Sequence, residues 1–288
     1  MSDEIILLGT KGGPALREVG AQPTSSLLSL GGKTILIDCG IGVSRSVVEA
    51  GTSLLDIDAI FITHLHSDHL VELGPLIYTA WTTGLERVLP VYGPPGTEEY
   101  WRSFLQAMAF DHAIRIEDEG RPDIAGMVEI HTLCDDWSAE IDGVSVAALR
   151  VDHPPVTDCF ALRFDSAAYR VVFSSDTCHF PPLGRFAEGA DVLVHEAMLT
   201  AGVDKLVART GGATRLREHL LASHTQAEDV GRIAASAMVG HLVLHHLVPA
   251  DDPDFGEVDW RSEVSKTWNG PLTVGRDGMV VPIGKASE

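Results

Sequence analysis

Short runs rich in valine, isoleucine and leucine alternate along this chain with segments of helical periodicity. The apolar runs at residues 5–8, 34–37, 59–62, 144–151, 170–173, 192–194 and 242–244 read as buried strands. Residues 225–239 give the clearest helix, because Val230, Ile233, Ala234, Ala237 and Met238 fall on one face. Thr225 followed by Glu228 predicts a capping box at its start. A second helix is predicted to begin near Thr97, just after the turn Gly93-Pro94-Pro95-Gly96, with Trp101, Phe104, Leu105 and Met108 on a shared face. No internal repeat, low-complexity tract or linker interrupts the alternation. It therefore predicts one α/β domain over residues 1–288.

The polar residues that follow the apolar runs carry the chemistry. The run at 59–62 leads into His64, His66, Asp68 and His69; four others lead into His153, Asp176, the pair His195-Glu196, and His246. Residues just past strand ends gather at one edge of an α/β sheet, where functional sites usually form. Imidazole nitrogen together with carboxylate oxygen suits zinc, manganese or iron rather than calcium or magnesium. The local cluster alone exceeds what one catalytic metal needs. With His153, Asp176 and His246 the set suits two metals sharing a bridging carboxylate and a bridging hydroxide.

Bulk composition narrows the classes. The chain has 288 residues, 45% hydrophobic and 22% charged, which suits a globular protein and excludes intrinsic disorder. No apolar run approaches the roughly 18–20 residues of a membrane-spanning helix. The N-terminus, Met1-Ser2-Asp3-Glu4, lacks the positive region of a secretory signal. Cys39, Cys134, Cys159 and Cys178 form no CxxC pair, so a cytoplasmic protein with reduced thiols is expected. The net charge of −20 repels nucleic-acid phosphates and anionic membranes at long range.

The motif His64-x-His66-x-Asp68-His69 resembles the signature of the metallo-β-lactamase superfamily. The segments Leu7-Leu8-Gly9-Thr10, Asp38-Cys39-Gly40, Ser174-Ser175-Asp176-Thr177, His195-Glu196-Ala197, Ser223-His224-Thr225 and Leu242-Val243-Leu244-His245-His246 resemble, in this order, its ribonuclease Z-like branch, which also holds arylsulfatases and small phosphodiesterases. The resemblance covers about residues 5–250. It implies an αββα sandwich with a dinuclear site at one edge. His64, His66 and His153 would hold one metal, Asp68, His69 and His246 the other, and Asp176 would bridge them. The implied cofactors are two Zn2+ ions, with Mn2+ or Fe2+ as substitutes.

The function this implies is a dinuclear zinc hydrolase that cleaves an ester-type bond in a small molecule: a carboxylic ester or lactone, a phosphodiester or a sulfate ester. Metal-bound hydroxide would be the attacking group. The alternatives are a tRNA 3′-processing endonuclease and an iron-dependent oxidoreductase. The latter fits less well, because the diiron members replace an early histidine by a carboxylate; a non-catalytic binding module would be expected to have lost ligands. Only 22 residues separate His153 from Asp176, too few for the long arm with which ribonuclease Z clamps tRNA. With the acidic charge, this argues against nucleic acid as a partner. A membrane partner is not expected, and a homodimer is allowed because the branch often forms one.

Further roles follow from the resemblance. Asp68 would also orient the hydroxide, and His224 would protonate the leaving oxygen. Glu196 would hydrogen-bond His224 and fix its tautomer. Asp38 would hold the metal loop or a ligand imidazole. His195 reads as supporting or core. His245 should face away from His246 on the strand. His112, His131, His179, His219 and His241 read as ordinary, and Cys178 as a small buried side chain. Trp81, Trp101, Phe110 and Trp137 either wall a pocket or, for at least two of them, pack in the core. Residues 200–222 form either a lid over the site or a solvated helix.

Overall fold

The computed structural model describes residues 2–17 and 20–284; the other ends of the expected 1–288 domain lie outside the described residues. Two seven-stranded sheets dominate it. The first holds β1 (Glu4–Gly9), β2 (Ser25–Leu30), β3 (Lys33–Ile37), β4 (Ala59–Phe61), β5 (Leu89–Gly93) and β6 (Val128–Thr132) in chain order. The second holds β7 (Ser138–Ile141), β8 (Val144–Arg150), β9 (Phe160–Asp165), β10 (Arg170–Phe173), β11 (Val192–Met198), β12 (His241–Val248) and β13 (Leu272–Val274), also in chain order. The late strand β14 (Met279–Pro282) crosses back to pair antiparallel with β1. Strands β3 to β6 run parallel to one another, as do β10 to β13, whereas β1–β2–β3 and β7–β8–β9–β10 are antiparallel.

The period-two alternation of each strand divides the core into layers. Ile5, Leu28, Phe61, Phe164, Val171 and Val243 meet between the two sheets. On the outer face of the first sheet, Ile6, Leu36 and Ile60 pack against the helices Val43–Glu49, Leu73–Thr83 and Thr97–Ala107. On the outer face of the second, Leu193 and Leu244 pack against Ala227–Ala237 and Glu257–Val264. This is the αββα arrangement of the metallo-β-lactamase fold. Trp81 and Trp101 belong to the first outer core, Trp137 packs against the inter-sheet core, and Phe110 is 81% exposed.

Two local expectations are corrected. The helix expected over residues 225–239 spans Ala227–Ala237, with Gln226 at its N-cap and no side-chain cap. Thr225 forms no capping box, because its N–H goes to Glu196 Oε1 and its hydroxyl to the Thr177 carbonyl. The strands expected to stop before His195 and His246 continue through them. Register between β11 and β12 shifts after Glu196, leaving His246 as an extra residue with φ 45°. That bulge re-aims one side chain within a continuous strand. Among the described residues, no helix is long and apolar enough to cross a membrane.

Candidate metal centre and cavity

The chain leaves β4 in extended conformation, and His64 and His66 follow. The four-residue helix Ser67–Leu70 then turns Asp68 and His69 inward. His153 lies three residues past β8, Asp176 three past β10, and His246 on the β12 bulge. Their donor atoms converge as His64, His66, His153 and Asp176 in one group and Asp68, His69 and His246 in another, the atoms of each lying within 4.8 Å of one another. Asp176 Oδ2 stands between the groups: 3.8 Å from His64 Nε2 and from His153 Nε2, 3.5 Å from His69 Nε2 and 3.0 Å from His246 Nε2. All seven residues expected as ligands are thus brought together, with Asp176 Oδ2 near both groups.

Each imidazole is oriented by the group behind it. Asp38 accepts from His69 Nδ1 at 2.7 Å and from the Thr63 N–H at 2.8 Å, which turns His69 Nε2 toward Asp68 and Asp176. His153 Nδ1 donates to the Ser223 carbonyl at 2.9 Å, and His64 Nδ1 lies 3.1 Å from Thr63 Oγ1. Such partners fix the tautomer of a metal-binding histidine. Asp38, Ser175 and His246 take positive φ angles of 63°, 57° and 45°. Non-glycine residues held there concentrate at functional sites.

The donor set fits divalent first-row cations. His69 Nε2, Asp176 Oδ1 and both ring nitrogens of His246 are buried without a hydrogen-bond partner. Burial, then the neighbouring imidazoles, hold His64 well below its ordinary value and bring His66 down to about 4, so both are neutral as ligands must be. The second group behaves in the opposite way. Burial works against a charged His246, but the Asp176 and Asp68 carboxylates push it up to about 10. His69 is raised well above its usual value by Asp176, Asp38 and Asp68, again against burial. This corner attracts positive charge, as protons or as a metal ion.

A pH dependence follows. A group whose pKa is raised by folding contributes stability below its unfolded value and loses it as pH climbs through the folded one. Metal-free protein is therefore expected to melt at progressively lower temperature as pH rises from about 6.5 to about 10. Calorimetry in chelator reads this directly. The same slope in a His246→Gln variant would assign it elsewhere.

Glu196 and His224 form the third part of the site. His224 Nδ1 lies 3.2 Å from both Glu196 oxygens, and Glu196 also accepts from the N–H groups of Thr177 and Thr225. His224 also groups with Asp176 and His246, and its ring centre is 5.3 Å from that of His153. His195 takes no part in either ligand group; it is buried, with Nδ1 2.6 Å from the Glu196 carbonyl oxygen. His245 points away, to the Gly9 carbonyl at 2.9 Å. Cys178 lies 3.4 Å from Asp152 Oδ2 and does not line the cavity.

A cavity of about 290 Å3 opens beside the cluster. His66, Asp68, Asp176, His224 and His246 form its floor. Residues 200–222 fold into the helices Thr200–Thr210 and Leu216–Ser223, and Leu206, Leu216 and Leu220 from them form an apolar wall. His219 also lines the cavity, its ring centre 6.2 Å from those of His66 and His224. Sequence reading missed it, since a lone histidine on an amphipathic helix carries no motif; only its place four residues before Ser223 hinted that it could face the same way. None of the four aromatic residues weighed as pocket walls lines this cavity.

The family model described as anti-Pycsar protein Apyc1 matches residues 4–210. A protein named ribonuclease Z from Mycobacterium bovis (strain BCG / Pasteur 1173P2) is 33% identical over 277 residues, covering 95% of this chain and 96% of that relative. The two chains are therefore of nearly equal length, and the short His153–Asp176 spacing does not by itself set this chain apart from proteins so named. In fold, the chain is similar to the metallo-β-lactamase fold protein YhfI from Bacillus subtilis, with TM-score 0.72, 24% identity and coverage of 96% of this chain and 98% of that one. It is also similar to human tRNase Z, short form, with TM-score 0.70, 20% identity and coverage of 98% and 100%.

Proposed function

Because this chain belongs to the Apyc1 and ribonuclease Z family of metal-dependent hydrolases with the metallo-β-lactamase fold, we propose that it is a phosphodiesterase acting on nucleotide phosphodiesters, RNA included. The expectation against nucleic acid is withdrawn: it rested largely on the missing arm, and relatives of equal length bear the name ribonuclease Z. Carboxylic and sulfate esters recede, since no relative reported above is named for them.

The observation that carries this reading is the Glu196–His224 pair set beside the ligand cluster. An alkoxide leaving from phosphorus needs a proton, and a positioned imidazole supplies one. In this reading, His224 holds that proton on the nitrogen facing the cavity and transfers it to the departing oxygen. Glu196 accepts from Nδ1–H and stabilises the imidazolium before transfer. His64, His66 and His153 would hold one cation and Asp68, His69 and His246 the other, with Asp176 available to both. Bound cations of this kind supply a hydroxide at neutral pH and polarise the phosphoryl oxygen. The cavity is near the lower limit of ordinary ligand pockets, so it admits a small diester or the end of a nucleic-acid strand rather than its body.

The test is one panel on metal-loaded protein, with and without chelator: an aryl phosphodiester, an aryl sulfate, an aryl carboxylic ester, several lactones and a tRNA precursor with a 3′ extension. Chelator-sensitive turnover of the diester is expected, with the sulfate and carboxylic esters inert. Cleavage of the precursor would mark RNA as a substrate, and its salt dependence would report the phosphate contacts. Preference for lactones or carboxylic esters would overturn the reading.

A further inference from the structure

The carboxylate of Asp251 is fully buried, yet it lies outside the metal cluster and outside the proposed chemistry. Three cations from three parts of the chain converge on it. Lys11 Nζ is 3.2 Å away, Arg17 Nη1 2.9 Å and Arg209 Nη2 3.4 Å. Arg209 also donates to the Asp251 carbonyl at 2.9 Å and pairs with Asp252 at 3.3 Å. Lys11 is itself only 3% exposed, and an ammonium buried to that extent needs a partner.

Two of the tethered segments form two sides of the site. Residues 11–14 run beside β12, held by the Lys11 N–H to the Gln22 carbonyl and the Gly12 N–H to the Leu247 carbonyl. Gly13, at φ 88°, aims its N–H at Asp68 Oδ2, 2.7 Å away. Gly12 lies so close to His246 that a Cβ there would stand 2.8 Å from the imidazole Cε1. This turn therefore touches two residues of the Asp68–His69–His246 group. Arg209 belongs to the helix Thr200–Thr210, whose Leu206 and Thr210 line the cavity.

We propose that Asp251 is a positioning residue that couples the two sides: through Lys11 it seats the glycine turn that orients Asp68 and His246, and through Arg209 it holds the helix that walls the cavity. One carboxylate thereby sets both the geometry of a cation site and the fit of the substrate. The substrate-fit arm rests on the phosphodiesterase reading; the cation arm does not.

Three variants separate the arms. Arg209→Gln cuts the helix arm: KM for bis(p-nitrophenyl) phosphate is expected to rise ~10-fold with kcat nearly unchanged. Amide exchange in Thr200–Thr210 should quicken, and the visible spectrum of the cobalt-loaded protein should stay as in the parent. Lys11→Met cuts the turn arm: Co2+ binding at one of the two sites should weaken ~10-fold and the cobalt spectrum should shift, with amide exchange in Thr200–Thr210 as in the parent; its KM does not discriminate, because Lys11 itself lines the cavity. Asp251→Asn should show both patterns. Parental KM and exchange in Arg209→Gln, or a parental cobalt spectrum and affinity in Lys11→Met, would overturn the coupling. So would an Asp251→Asn variant that melts earlier with every other reading unchanged. If Asp251→Asn does not fold, the two single-arm variants decide. If the parent cleaves no diester, the functional reading fails, and cobalt spectra and amide exchange still decide the role of Asp251.

Discussion

Replacing His224 by alanine is expected to lower kcat by about 10²- to 10⁴-fold on an alkyl phosphodiester and far less on a p-nitrophenyl diester. The difference arises in the leaving group. An alkoxide departs only as it gains a proton, whereas nitrophenolate is stable without one. The geometry suits this role: Glu196 engages His224 Nδ1 at 3.2 Å through both oxygens, and His224 lines the cavity. Glu196→Gln should fall between the parent and His224→Ala, because the amide keeps a hydrogen bond and loses the charge that stabilises an imidazolium. Paired kcat measurements on the two diesters check this. Equal loss on both, together with lower metal content, would make His224 a ligand in the group it shares with Asp176 and His246.

The second large effect is expected at a residue that belongs to no donor group itself but hydrogen-bonds a member of one. Asp38→Asn should weaken binding of the cation held by His69 by about 10- to 100-fold, measured by competition with a chromophoric zinc chelator. The carboxylate accepts at once from His69 Nδ1 and from the Thr63 N–H and hydroxyl. An asparagine amide satisfies Thr63 but cannot add negative charge behind His69, so that imidazole becomes a poorer ligand. Asparagine is the right replacement because Asp38 sits at φ 63°, a region Asn tolerates and most side chains do not. Asp38→Ala adds backbone strain and leaves buried donors unpaired, at about 1–3 kcal/mol each. Unchanged affinity in Asp38→Asn would show that His69 needs no carboxylate behind it.

Much of this site was legible in the sequence, for a physical reason. Ligands that must converge on a cation while lying in different strands can only sit where strands reach a common edge. The run from His64 to His69 and the isolated His153, Asp176 and His246 follow that rule, and the helix Ser67–Leu70 supplies the turn that Asp68 and His69 required. The αββα layering was legible through the resemblance rather than through periodicity. Periodicity alone missed β2, β5, β6, β7, β9, β13 and the returning strand β14; Ser25 and Ser26 in β2 and Pro90 in β5 dilute the apolar signal. Thr225 misled as a cap because nothing local reveals that Glu196, far away in sequence, takes its N–H. The β12 bulge was hidden for a similar reason: register is a property of two strands. The cavity wall was least legible, since Leu206, Leu216, His219 and Leu220 acquire their meaning from where two helices settle. The acidic balance of the chain was over-read: net charge describes long-range steering, and not what a local site binds.

The seven candidate ligands come from both sheets: four follow β4 of the first, and of the other three, His153 follows β8, Asp176 follows β10 and His246 lies on β12 of the second. Cation binding there would therefore act as a reversible cross-link between two halves of the chain. A ligand that binds only the folded state adds about 2.7 kcal/mol at a hundredfold excess over its dissociation constant. Here that increment falls on the seam between the sheets rather than within either one. Metal supply would then set how firmly the two halves are held together, and a protein starved of metal would be loosened first along the edge where it would do its chemistry.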